Sequence, residues 1–401
     1  MLCRHAVQRI SSTGLLVAVV LSILGSKSSV PVFARDIGNA TSPFATMLDD
    51  AELHDVFFLD PERGWAVGDR GAIWTTEDGG RNWRMQESPQ ACRWQSVWFV
   101  DAKNGWVVGG WHQPGTFQSR GAVLRTRDGG LNWMPVPVST LPLLHKVAFR
   151  DEQHGWAIGE PTGIYPSGVF QSDDGGRSWQ PVHSTTGGPW LTGDFSAARA
   201  ALPSVRAAEA SGVTPGKLQR RSSRHGVVAG RDGRVAVMTD QGLAEVTIDE
   251  ARGRHIRHVQ LDPNQTAWLV GDDGLVLQSG EGGLSWSAPS GEPPAAVKHA
   301  NWRGIATHGS HTWIVGDPGA TVMHSADGGA SWELQLTGQT VPLHSVFFLD
   351  AHHGWAAGAL GTLLVTRDGG RTWKRQHGSG RVAVLGVFSH EFAIPLEMFA
   401  Q

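Results

Sequence analysis

The stretch Thr76-Glu77-Asp78-Gly79-Gly80-Arg81-Asn82-Trp83 constrains this chain more than any other, because the sequence repeats it. It returns at 126–133, 172–179, 325–332 and 366–373, and with Glu281 in place of Asp at 279–286. Each copy reads Ser/Thr-x-acid-x-Gly-x-x-Trp, a tight turn closed by an aromatic anchor. The acidic side chain accepts hydrogen bonds from the backbone of its own turn, and the glycine takes a backbone angle that other residues resist. On this reading Asp78, Asp128, Asp174, Glu281, Asp327 and Asp368 are turn locks, and Trp83, Trp133, Trp179, Trp286, Trp332 and Trp373 open the next strand and bury their rings. One copy would mean little, but repetition through one chain marks a repeat architecture.

A second motif sits upstream of the first. Gly64-Trp65-Ala66-Val67-Gly68 recurs at 105–109, 155–159 and 354–358, with weaker copies at 268–271 and 313–316. An apolar strand ending in Asp precedes it, as in Val56-Phe57-Phe58-Leu59-Asp60. The repeating unit is therefore four short strands joined by Gly and Asp turns. Its spacing of roughly 40–50 residues is the period of a propeller blade. The expected fold is all-β, a seven-bladed β-propeller of four-stranded antiparallel blades.

With 401 residues the chain has room for one large domain of this kind. Its formal charge of -3 gives no reason to expect nucleic-acid binding. Residues 1–34 read as a signal peptide, with Arg4 and Arg9 before an apolar run 15–24 and a small-residue cleavage pattern ending at Ala34. An uncleaved anchor is the alternative, and the apolar run is short for one. No Cys directly follows that run to carry a lipid. Only Cys3 and Cys92 exist, and Cys3 would leave with the signal, so the exported chain, periplasmic, lumenal or extracellular, relies on packing rather than on an internal disulfide.

The propeller is expected over 35–380, with blades at 53–88, 94–136, 144–182, 225–249, 256–290, 301–338 and 343–378. An Ala-, Ser-, Gly- and Arg-rich insertion at 183–224 precedes a degenerate fourth blade that lacks the acidic turn. Residues 381–401 read either as a closing strand or as the start of a further segment.

The acidic turns resemble the Asp-box, or bacterial neuraminidase repeat. Paired with Phe58, Asp60 and the Gly64–Gly68 stretch, they resemble the photosystem II stability and assembly factor family over nearly all of the chain after residue 34. That resemblance implies an exported or lumenal, non-catalytic seven-bladed propeller that assists assembly of a membrane complex. The fourth blade and the insertion depart from the family pattern.

In a four-stranded blade the acidic turns, which join third and fourth strands, lie on the face opposite the loops that join second and third strands. Two of those second-to-third loops are long, 110–120 in blade two and 160–166 in blade three, and the insertion is expected to enter from the same face. Trp111, Phe117, Arg120 and Tyr165 are the expected anchors for a protein or peptide partner there, in a protein acting as a monomer. No catalytic, cofactor-binding or metal residue is assigned. His54, His145 and His344, each following a Leu at the start of an inner strand, are expected to line a wet channel, with a metal or haem site as the alternative. The alternative function is a glycoside hydrolase acting on a polysaccharide. A sialidase needs a Tyr nucleophile and three Arg; the only Tyr is Tyr165, in a Pro-flanked loop. A two-carboxylate hydrolase would need Glu160 and Asp194 to meet on the loop face.

Overall fold

The computed structural model describes residues 48–378, apart from 117, 139, 185–186, 196–225 and 240. The expected signal segment, the tail 381–401 and Phe117 lie outside the described residues. Seven sheets form a ring of antiparallel blades, six with four strands and one with three. Strand order within each blade follows the sequence, from an inner strand beside the axis to an outer strand at the rim. The three-stranded blade is the fifth, where an isolated bridge between Gln278 and Ser287 stands in for the outer strand.

The inner strands carry the packing that joins blades. Phe58 stacks on Trp355, Phe99 on Trp65, Phe149 on Trp106 and Phe348 on Trp313, with ring centroids 3.6–3.7 Å apart. In each pair the phenylalanine belongs to one blade and the tryptophan to the Gly-Trp strand of the blade before it. The first glycine of the Gly-Trp motif exists for this stack, since a Cβ at Gly64 would overlap the Phe58 ring. The Trp that closes the acidic turn then packs edge-on against the same phenylalanine, as Trp83 does on Phe58 at 5.9 Å. Such tiers of buried aromatics pack neighbouring blades together at these four seams.

The acidic turn has one geometry in five blades. In the first, the Thr76 hydroxyl donates to Asp78 Oδ1 at 2.9 Å and accepts from Gly80 N at 2.9 Å. Asn82 N donates to the same carboxylate at 2.9 Å. Gly79 and Gly80 take φ values of 74° and 86°, which favour glycine. The same bonds recur at Asp128, Asp174, Asp327 and Asp368. Glu281 is tied to Ser285 Oγ at 3.0 Å, while Ser279 Oγ accepts from Gly283 N.

Blade four differs from its expected bounds. Its inner strand is Trp190–Asp194, paired with Gly226–Gly230, so the blade opens at Trp190 rather than at 225. Residues 195–225 therefore separate the blade's first strand from its second. The chain leaves and rejoins the blade on the acidic-turn face, since Asp194 pairs with Val227 at that end. This corrects the expectation that the insertion enters from the loop face. A short hairpin, Val235–Thr239 with Gly242–Val246, replaces the acidic turn.

Candidate functional site

Every inner strand begins with a β-bulge. The pairing of inner with second strand slips once in each blade, leaving His54, Gln95, His145, Leu191, Arg257, Arg303 and His344 unopposed. A bulge adds twist and re-aims a side chain, and here seven of them ring the mouth of the axis on the loop face. The last glycine of the Gly-Trp motif permits this, because the backbone ahead of the bulge presses against it. A Cβ at Gly109 would overlap the Arg93 carbonyl.

Below the mouth, the next residues of four inner strands, Asp55, Lys146, His258 and Ser345, line the axial cavity. Buried Asp55 accepts hydrogen bonds from Ser96 Oγ at 2.9 Å, Ser345 Oγ at 3.1 Å and Lys146 Nζ at 3.1 Å. One carboxylate thus ties blades one, two, three and seven. The axial cavity holds about 70 Å³, room for a few waters and not for a substrate.

Around the mouth, cations of the bulge ring meet carboxylates that follow the second strands. Arg257 makes a two-point contact with Asp272 at 2.8 and 2.7 Å, and Arg303 Nε donates to Asp317 at 2.7 Å. His54 and Arg93 both reach Asp69 at 2.8 Å. Burial alone would raise the Asp69 pKa, but these hydrogen bonds outweigh it and hold the carboxyl at about 2. The His145 pKa is also lowered, to about 4, but here burial is the cause and favours the neutral form, with Glu160 opposing and nearby cations adding. It is neutral at neutral pH.

Of the expected partner anchors, the structure places Trp111 and Arg120 opposite each other on one hairpin. The strands Gly105–His112 and Ser119–Thr126 extend beyond those of the other blades and pair as far as His112 with Ser119. Trp111 is 41% exposed, and His112 bridges to Glu160 of blade three at 3.0 Å. Tyr165 is half-buried on the loop of blade three. Its hydroxyl meets Thr140 Oγ1 at 3.2 Å and its ring lies edge-on to Phe170. Sequence reasoning missed its neighbour Ile164, the 78% exposed apolar tip of that loop; its place between Gly163 and a half-buried Tyr was the available signal.

Glu160 and Asp194 do not meet. Glu160 follows the second strand of blade three on the loop face, whereas Asp194 ends the inner strand of blade four on the acidic-turn face, accepting from Leu261 N at 2.9 Å. His54 and His344 stack with centroids 6.0 Å apart, while His145 stands on the third blade, away from them. On the acidic-turn face a groove runs between blades two and three, lined by Arg127, Arg177, Met134 and Pro135. Nothing in the spacing of the repeats marked it.

Residues 43–143 and 245–342 match the model of a family described as Photosynthesis system II assembly factor YCF48. The photosystem II assembly lipoprotein Ycf48 of Synechococcus sp. (strain CC9902) is 30% identical over 117 residues, covering 28% of this chain and 34% of that protein. The chain thus spans about a third of that relative's length. The photosystem II assembly protein Ycf48 of Synechococcus sp. (strain JA-2-3B'a(2-13)) is 23% identical over 326 residues, covering 76% of this chain and 81% of the relative. Among solved structures, YCF48 bound to D1 peptide superposes with a TM-score of 0.58 at 17% identity, over 79% of this chain and 93% of that one. The GH74 enzyme of Niastella koreensis superposes with a TM-score of 0.61 at 13% identity, over 82% and 54%. At such identities both likenesses speak for the fold alone. Through that family model, its acidic turns and the Gly-Trp strands that build this seven-bladed ring, the chain matches the photosystem II stability/assembly factor-like family of Asp-box propellers.

Proposed function

We propose that this protein is an exported, non-catalytic propeller that holds a protein or peptide segment of a membrane complex during assembly, on the face where the inner strands begin. The observation that carries the reading is the bulge ring. Seven blades each deliver one re-aimed side chain to one mouth, five of them Arg or His, beside a projecting hairpin with Trp111 and Arg120 exposed. A rigid rim of fixed donors, acceptors and one aromatic suits recognition of an extended polar chain. Two relatives named for photosystem II assembly, and a solved relative holding a D1 peptide, support a partner of that kind.

Hydrolysis fits the chemistry less well. Each carboxylate with a displaced pKa among the described residues is displaced downward, Asp69 and Asp151 to about 2, whereas a glycosidase acid needs the opposite shift. The two carboxylates the sequence offered for that task sit on opposite faces.

Affinity capture from solubilised membranes of the native host tests the reading. Recovery of a defined membrane-complex subunit is expected; failure to capture any, with turnover on a panel of glycans, would overturn it.

A further inference from the structure

We propose that Glu52, His54 and His344 form a divalent transition-metal site that staples the seam between the first blade and the last. His54 is the bulged residue of blade one and His344 that of blade seven, and Glu52 sits two residues ahead of His54. Each offers one ligand atom, and these atoms lie within 4.8 Å of one another. The imidazoles are nearly parallel, 15° apart, and His344 Nδ1 already stands 3.3 Å from Glu52 Oε1. A shell of about 2.0–2.2 Å asks the three side chains to close modestly on a common point, a change that rotation about their own torsions supplies.

The donor set selects the ion. Two imidazoles and one carboxylate suit Zn²⁺ or Co²⁺, while Ca²⁺ and Mg²⁺ prefer oxygen throughout. His344 Nδ1 faces the Leu53 carbonyl at 3.2 Å as well as Glu52, both acceptors, so a metal at that atom requires the ring proton to move to Nε2. Asp69, 2.8 Å from His54 Nε2, is a further carboxylate at the site, orienting the ring or completing the shell. Of the neighbouring cations, Arg93 shares Asp69 with His54, and Arg303 is matched by Asp317. His145, on blade three, takes no part.

A metal here would join the first and last blades of the described ring, adding to the packing, hydrogen bonds and His344–Glu52 contact already there. Binding to the folded ring and not to the unfolded chain raises stability.

Titration of the purified, chelator-stripped protein with Zn²⁺, and with Co²⁺ followed by visible absorption, tests the site. One ion per chain, imidazole-ligand Co²⁺ bands and a metal-dependent rise in melting temperature are expected in wild type. His54→Ala with His344→Ala should abolish all three, and Glu52→Gln should weaken binding at least ten-fold while keeping the metal-free melting temperature. No binding above background in wild type overturns the proposal. So does undiminished binding in the double variant or, should that variant fail to fold, undiminished binding in Glu52→Gln. Loss of binding in a His311→Ala control instead would move the ion to the His311–His324 pair, 3.0 Å apart on blade six, and equally overturn it.

Discussion

The indole of Trp355 donates a 3.0 Å hydrogen bond to the carbonyl of Gly79, so the last blade plugs into the acidic turn of the first. Trp106 does the same to Gly175, and Trp313 to Gly369, at 3.0 and 2.9 Å. The acidic turn is therefore a socket as well as a lock. Its carboxylate fixes the backbone so that one carbonyl faces the neighbouring blade's tryptophan.

Removing the donor alone separates the two parts of this contact. Trp355→Phe keeps most of the stack on Phe58 and should cost about 1–2 kcal/mol for the unmade bond. Trp355→Ala empties a buried site and should cost about 3–5 kcal/mol. Urea unfolding measures both, and equal costs would contradict the socket.

Asp78→Ala removes the acceptor for Thr76 and Asn82 and should cost about 1–2 kcal/mol, as loss of a capping side chain does. Asp78→Asn keeps one acceptor oxygen and should cost less. Because the carboxylate serves its own turn, Ca²⁺ added to the chelator-stripped protein should leave melting of both variants and wild type unchanged; a Ca²⁺-dependent rise lost in Asp78→Ala would show a metal role instead.

Gly109→Ala tests the bulges. The added Cβ meets the Arg93 carbonyl, and backbone cannot yield as a side chain does, so a loss of about 1–3 kcal/mol is expected. Conversion of the neighbouring Ala122, a buried core residue, to Gly gives the comparison for a simple change in packing, and fluorescence of the exposed Trp111 reports whether the hairpin shifts with the bulge.

His145 sets a pH dependence. Its folded pKa of about 4 lies below the ordinary value of 6.5, so above pH 6.5 both folded and unfolded forms are neutral and the contribution is complete. As pH falls from 6.5 to 4 the unfolded chain takes up a proton that the folded chain refuses, and stability drops by up to about 3 kcal/mol. His344 and His377, lowered by burial too, act with the same sign. Unfolding free energies from pH 7.5 to 4.5 should fall less steeply in His145→Gln, and parallel curves would contradict the assignment.

The blades were legible because turn chemistry and packing repeat together. Asp78 and Trp83 are needed for local reasons that any one copy displays. Blade four was harder, since its inner strand Trp190–Asp194 follows Gly187, Gly188 and Pro189, which read as loop. The mouth was half visible. His54, His145 and His344 stood out behind a Leu, whereas Arg257 and Arg303 follow Ile256 and Trp302 and escaped the pattern. Only the register slip shows that all share one position. The contacts of Tyr165 with Thr140 and Phe170 were not legible, since spacing does not bring those residues together on paper.

The most direct measurement is the affinity of the captured partner segment for three forms of the protein: wild type, a loop-face variant with Trp111→Ala and Arg120→Ala, and an acidic-turn-face variant with Arg127→Ala and Arg177→Ala. The account predicts at least ten-fold weaker binding for the loop-face variant, about 1.4 kcal/mol or more, and wild-type affinity for the other. Unchanged binding in the loop-face variant with loss in the acidic-turn-face variant would contradict it and move the partner to the groove between blades two and three.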